Sequence, residues 1–69
     1  MTLEQFRFEC NWSKNEMARE AKIDFSTLQR ALNGESIAAR TADKLAFAIS
    51  KQLGRPIRAT DIEGLNIST

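Results

Sequence analysis

The chain has 69 residues with 10 basic and 9 acidic side chains, which gives a formal net charge of +1 at pH 7. This length fits one small domain, so we treat residues 1–69 as a single unit. A content of 42% apolar and 28% charged residues is typical of a globular domain and excludes a disordered segment. The longest apolar run, residues 45–49, is far too short to span a bilayer.

The side-chain inventory also restricts the chemistry. The chain has no histidine and a single cysteine, Cys10. A zinc site of cysteine and histidine and a nucleophile activated by histidine are therefore excluded. No glycine-rich phosphate loop is present, and a domain of this size has little room for a substrate cavity. We expect no enzyme, no cofactor, no metal and no small-molecule ligand.

The N-terminus has no feature of a secretory signal, because Glu4, Arg7 and Glu9 interrupt its apolar residues. The lone Cys10 provides no disulfide framework. We therefore expect a cytoplasmic protein without a membrane partner.

Capping signals and apolar spacing predict helices along most of the chain. Thr2 with Gln5, and Ser13 with Glu16, have the spacing of a capping box. Asp24 is a suitable N-cap for a third helix. The four longer helices are predicted near residues 3–10, 14–21 and 25–32 and from about Ala39 or Thr41 to Leu53.

A short fifth helix is predicted near the C-terminus. Gly54 and Pro56 end the fourth helix, and Thr60 with Glu63 has the spacing of another capping box. No alternating strand pattern competes, and residues 66–69 are expected to fray. The predicted fold class is all-α, a compact arrangement of five helices.

The connection between the second and third helices is the most informative segment. Only residues 22–24 join them, and such a short connection makes two helices cross steeply, as in a helix-turn-helix. Ile23 is the apolar residue of that turn, and Ala18 and Ala21 are small where the helices approach each other. We interpret residues 14–33 as a helix-turn-helix.

The third helix has two adjoining faces at about 100° per residue. Its apolar sector contains Phe25, Leu28, Ala31 and Leu32. The neighbouring sector has hydrogen-bonding side chains and no carboxylate, namely Ser26, Gln29, Arg30 and Asn33. Glutamine hydrogen-bonds adenine edges, arginine guanine edges and serine several bases. This polar stripe suits a DNA groove, although surface helices commonly carry a polar face.

Residues 12–34 resemble the helix-turn-helix of the lambda-repressor and Cro-like family. The matches are Met17, Ala18, Ala21, Ile23, Leu28 and Ala31 at its buried positions and Asn33-Gly34 at the exit of its recognition helix. Residues 40–49 resemble its fourth helix and 54–62 the turn into its fifth, so the resemblance covers about residues 3–65.

The resemblance implies a sequence-specific transcriptional regulator that inserts its third helix into the major groove of double-stranded DNA. Since the chain ends soon after the fifth helix, it is similar to a stand-alone phage or mobile-element repressor of the Cro type, which binds a two-fold operator as a homodimer. The family's base-reading positions fall on Phe25, Ser26, Gln29 and Arg30. Its backbone-contacting positions fall on Lys14, Asn33, Arg40 and Thr41.

Two departures from the family pattern leave alternatives open. Lys22 stands where glycine is usual, so it either adopts a left-handed conformation at a cost or alters the turn. Phe25 stands where a polar residue is common, and it either contacts a thymine methyl or extends the core.

The C-terminal stretch is the expected dimer surface, because too little chain remains to bury all of its apolar residues. The residues in question are Ile57, Ile62, Leu65 and Ile67. The near-neutral charge keeps a second hypothesis open, in which the fold serves as a helical protein-binding module of adaptor or antirepressor type.

Overall fold

The computed structural model describes residues 1–68. In chain order the helices are α1 (Leu3–Glu9), α2 (Lys14–Ala21), α3 (Phe25–Leu32) and α4 (Ala39–Leu53). Two short strands, β1 (Ser36–Ala38) and β2 (Asn66–Ser68), and a 3-10 helix (Ala59–Asp61) complete the fold. The predicted bounds of the second and third helices are confirmed, and the first helix ends one residue earlier than predicted. Of the two predicted starts of the fourth helix, Ala39 is the observed one, and its predicted end at Leu53 is confirmed.

The first two helices begin at the predicted capping boxes. The Gln5 N–H donates to the Thr2 hydroxyl (3.2 Å), and the Thr2 N–H donates to the Gln5 side chain (2.8 Å). Ser13 and Glu16 exchange the same pair of bonds at 2.9 and 3.1 Å. Each box pairs two backbone donors that a helix start leaves without an intrahelical partner.

The predicted all-α fold with five helices is wrong. In place of the fifth helix, residues 59–61 form one 3-10 turn, and Ile62 leaves it with extended backbone angles (φ −93°, ψ 107°). The expected Thr60–Glu63 box does not form, because the Glu63 N–H donates instead to the Met1 carbonyl (2.8 Å). This bond and the buried Ile62 side chain hold the chain extended, so a helix cannot continue.

Residues 66–68, expected to fray, form a two-stranded parallel sheet with β1. Ile37 is opposite Ile67, and the flanking Ser36 and Ser68 hydroxyls are 3.1 Å apart. A parallel pair needs a long crossover, which α4 supplies. Gly64, with a φ of 80°, turns the chain into β2 through a conformation that favours glycine.

One apolar core joins the four helices and both strands. Its completely buried large side chains are Met17, Leu28, Leu45 and Ile49. Ile62, expected on a dimer surface, is only 4% exposed and belongs to this core. The other three residues of that expected surface, Ile57, Leu65 and Ile67, are half-buried and pack against the core. Residues 57–67 therefore bury more of their apolar surface within a single chain than the sequence predicted.

The segment after α4 is held by a single serine. The Ser50 hydroxyl accepts the Ile57 N–H (2.8 Å) and lies within hydrogen-bond distance of the Ala46 and Ile57 carbonyl oxygens (2.8 and 3.0 Å). A half-buried hydroxyl thereby pairs backbone groups that the turn would otherwise leave without partners. Ile57 is fixed against the body of the domain as a result.

Candidate nucleic-acid interface

The turn between α2 and α3 has a defined hydrogen-bond pattern. Lys22 adopts the left-handed conformation, with φ 58° and ψ 44°. The Ile23 N–H donates to the Ala18 carbonyl (3.0 Å) and the Lys22 N–H to the Arg19 carbonyl (3.1 Å), the two bonds of a Schellman motif. Lys22 therefore adopts the first of its two alternatives: the turn keeps the geometry usual for glycine at this position, and the left-handed lysine costs about 1 kcal/mol.

The two predicted faces of α3 are present. Leu28 and Ala31 are buried, and α3 packs on α1, α2 and β1. On the other side, Ser26, Arg30 and Asn33 are exposed and Gln29 is half-buried. The polar stripe, which we define as Ser26, Gln29, Arg30 and Asn33, therefore lies on the solvent side of a helix whose opposite side is fixed in the core.

Phe25, at the first position of α3, extends into solvent. Its side chain is 46% exposed, and it does not belong to the core cluster or to the half-buried residues packed against it. The core alternative for this residue is therefore not realised. An exposed aromatic ring beside the polar stripe provides apolar surface next to hydrogen-bonding groups.

Arg30 is engaged within the chain. Its guanidinium donates to the Ser36 carbonyl oxygen (3.3 Å), and its Nε lies 3.9 Å from a carboxylate oxygen of Glu35. Both charged side chains are more than half exposed, at 58% and 56%. An ion pair so exposed to water contributes at most about 1 kcal/mol, so a stronger anionic or polar partner can displace it.

Glu35 is the charged residue beside the candidate site that the sequence pattern does not reveal. The helical rotation of α3 shows no acid in the polar stripe, but Gly34, with a φ of 79°, reverses the chain after the helix. The Glu35 N–H donates to the Arg30 carbonyl (2.9 Å), and this bond holds the carboxylate beside the stripe. The Asn33-Gly34 pair could have indicated the position of Glu35, because a chain that reverses after Gly34 places the next residue beside the last turn of α3.

The predicted backbone-contacting residues lie at three places. Asn33 follows α3 directly, and Lys14 is half-buried in the first turn of α2. Arg40 and Thr41 lie in the first turn of α4, whose N-cap, Ala38, makes no side-chain cap. Because α4 starts where β1 ends, and β1 packs on α3, this helix start lies on the side of the domain to which Arg30 is tied. The positive charge of Lys14 makes a small contribution to the lowered pKa of Glu4 in α1.

Two carboxyl groups in helix starts have lowered pKa values. The pKa of Glu16 is lowered, chiefly by the hydrogen bond that its carboxylate accepts from the Ser13 backbone N–H. The pKa of Glu4 is lowered mainly by its hydrogen bond from Arg7. Burial raises the pKa of the Cys10 thiol, which is almost completely enclosed. A raised thiol pKa and lack of access make this cysteine a poor nucleophile.

No group of three or more histidine, cysteine or acidic side chains within residues 1–68 is arranged to hold a metal ion. None of the helices in this range is both long and apolar enough to cross a bilayer.

We compared the chain with protein-family models, curated proteins and solved structures, and none of them matches it. The resemblance to the lambda-repressor and Cro-like family therefore rests on the residues of the chain itself.

Proposed function

We propose that this chain is a sequence-specific DNA-binding protein that inserts α3 into the major groove of double-stranded DNA and regulates transcription in the manner of a Cro-type repressor. The polar stripe carries the proposal, because it is exposed on a helix that the core and the α2–α3 turn hold rigidly. A major groove is wide enough to admit such a helix. Its site of action would be the cytoplasm, on the DNA of the nucleoid.

Three residues of the stripe, Ser26, Gln29 and Arg30, and the adjacent Phe25 have chemistry that fits a base edge. Gln29 is suited to the N6 and N7 groups of adenine, and Arg30 to the O6 and N7 acceptors of guanine. Ser26 donates to or accepts from several bases, and the exposed ring of Phe25 provides an apolar surface for a thymine methyl. Together these residues span about two turns of α3.

Phosphate contacts would set the position of α3 on the duplex without reading sequence. Lys14 and Asn33 are the candidates at the two ends of the helix-turn-helix. The first turn of α4 adds Arg40 and Thr41 together with N–H groups that no side chain caps, and a helix start of this kind attracts phosphate. A two-fold operator would bind two copies at half-sites about 34 to 36 Å apart.

The test is fluorescence anisotropy across a salt series, with duplex DNA from upstream of the gene that encodes the chain and with a scrambled duplex. We expect tighter binding to the natural duplex and a steep loss of affinity with salt, because phosphate contacts release counterions. Weak, equal binding to both duplexes would contradict the proposal and would favour the protein-binding module instead.

The variant Arg30→Ala makes the test specific to the polar stripe. If Arg30 hydrogen-bonds a base, its loss costs about 1–3 kcal/mol and relaxes the preference at one base pair. Arg55→Ala is the matched control, since Arg55 is an exposed arginine beyond α4 that the resemblance does not place on DNA. Equal weakening by the two variants would remove Arg30 from the base-reading set.

A further inference from the structure

The outer face of α4 has an exposed aromatic ring that DNA binding by α3 does not explain. Phe47 is 69% exposed, although its neighbours Leu45 and Ile49 on the same helix are completely buried. A single exposed apolar residue is ordinary, so the residues around it decide whether it has a function. The rest of α4 provides that information.

Phe47 lies between two charged side chains on the same face of α4. Asp43, Phe47 and Lys51 are spaced four residues apart, so they form one continuous ridge along the helix. All three are exposed, and within residues 1–68 neither Asp43 nor Lys51 has an ion-pair partner. The ridge is negative at one end, aromatic at its centre and positive at the other end.

Such a ridge is complementary to a second copy of itself. In an antiparallel pair with its two-fold axis at Phe47, Asp43 of each copy meets Lys51 of the other, and both ends of the contact are attractive. A parallel pair would place like charges together. Two-fold pairs use the same surface on both copies, and ridges of side chains four residues apart are those that pack in the commonest class of helix contact.

The surface beside the ridge can receive the partner's Phe47. An open groove of about 540 Å³ runs between α4 and the segment that follows it. Its apolar lining comes from Ala46, Ile57 and Ala59. Ile57 and Ala59 are only half-buried in a single chain, so a second phenyl ring in this groove would remove their remaining surface from water.

We propose that the ridge Asp43–Phe47–Lys51 is a self-association surface through which two copies of this chain pair antiparallel. The ridge borders the end of α2 and Lys22 of the α2–α3 turn on one side and residues 57–60 on the other, and the residues of the polar stripe do not line the groove on either side. The proposal does not depend on DNA binding. It is tested without DNA, so that failure to pair and failure to bind DNA are separate results.

The interface is small. A stable dimer commonly buries about 800 Å² on each partner, which is close to a fifth of the 4411 Å² surface of this chain. A helix of 15 residues is only about 22 Å long and offers less than that. We therefore expect a weak dimer that forms at protein concentrations of tens to hundreds of micromolar and gains stability when both copies bind one duplex.

Sedimentation equilibrium of the full chain, at about 10 µM to 1 mM, tests the proposal. We expect the average mass to rise from monomer towards dimer, and Phe47→Ala to weaken association at least tenfold. Phe8→Ala is the matched control, because Phe8 is 67% exposed on α1, away from the ridge. A chain that stays monomeric throughout, or a control that weakens association as much as Phe47→Ala, would overturn the proposal.

A charge exchange tests the antiparallel geometry. Asp43→Lys and Lys51→Asp each create like-charge contacts at both ends of the pair, so each is expected to weaken association about tenfold. The double variant restores opposite charges and is expected to regain association to within about threefold. The two positions are about 12 Å apart along one helix, so recovery would come from the partner. A double variant that melts normally by circular dichroism but fails to recover would refute the antiparallel contact.

Discussion

The ion pair between Arg30 and Glu35 leads to a prediction about DNA affinity. The Glu35 carboxylate, 3.9 Å from the Arg30 Nε, competes with a base or a phosphate for the guanidinium, and it also repels phosphates. Glu35→Gln keeps the size of the side chain and removes its charge. We expect this variant to bind DNA more tightly than the unmodified chain.

The distance and exposure of the Arg30–Glu35 ion pair determine how large the gain in DNA affinity should be. At 3.9 Å between Nε and Oε1, with both side chains more than half exposed, the interaction contributes about 0.2–1 kcal/mol to the free protein. Releasing it increases the affinity about 1.4- to 5-fold. The Ser36 carbonyl still accepts a hydrogen bond from Arg30 in the variant, so the arginine keeps its position near the end of α3.

Anisotropy titrations at one fixed salt concentration measure this change. The titrations form a double-mutant cycle of the unmodified chain, Glu35→Gln, Arg30→Ala and the variant with both substitutions. If the gain acts through Arg30, Glu35→Gln has little effect once Arg30 is alanine. An equal gain in both backgrounds would show that the effect is only the general repulsion between Glu35 and DNA. Unchanged or weaker binding in the unmodified background would refute the reasoning altogether.

Three further predictions concern α2 and its ends. Lys14→Ala should weaken binding on all DNA sequences and lower the salt slope by about one unit, and an unchanged slope would remove Lys14 from the phosphate contacts. Lys22→Gly should raise the melting temperature by about 3 °C. Glycine relieves the strain of the left-handed backbone, and this gain exceeds the conformational entropy that glycine adds to the unfolded chain. A lower melting temperature would contradict this prediction. The Glu16 carboxyl has a folded pKa below its unfolded value, so its contribution to stability is complete above the unfolded pKa and is lost as the pH falls through the folded pKa. Glu16→Gln should therefore lose less stability than the unmodified chain between pH 7 and pH 3, as measured by urea midpoints. Equal losses would show that the pKa of Glu16 is the same in the folded and unfolded states.

The helices were predictable because local chemistry marks their ends. Ser13 with Glu16 starts α2, and Asn33-Gly34 ends α3. Asp24 occupies the predicted N-cap position of α3, although its side chain makes no cap hydrogen bond. These signals act within a few residues, and the structure places both helices within the predicted bounds. Residues near in sequence determine this part of the fold.

The sheet and the missing fifth helix depend on distant residues. β1 and β2 have three residues each and are separated by the whole of α4, so neither shows enough alternation to identify a strand. The Thr60–Glu63 spacing suggested a helix, but the Glu63 N–H bonds to Met1 at the other end of the chain. No local pattern contains information about such a partner.

The candidate site was likewise predictable only where it depends on residues within one helix. Rotation of one helix correctly separates the buried Leu28 from the exposed Arg30. It could not decide Phe25, which lies at the helix start, where few neighbouring turns can cover it. Nor could it find Glu35, because that residue comes from the chain after the helix.

The bond between Met1 and Glu63 and the pairing of β1 with β2 have a consequence for biosynthesis. Contacts within α2 and α3 are local and can form as soon as those residues leave the ribosome. The core is closed only when Ile62 and residues 66–68 arrive, because they cover it and hold the N-terminal residues in place. The nascent chain therefore exposes an open apolar surface until residues 62–68 emerge from the ribosome, and the core can close only from that point.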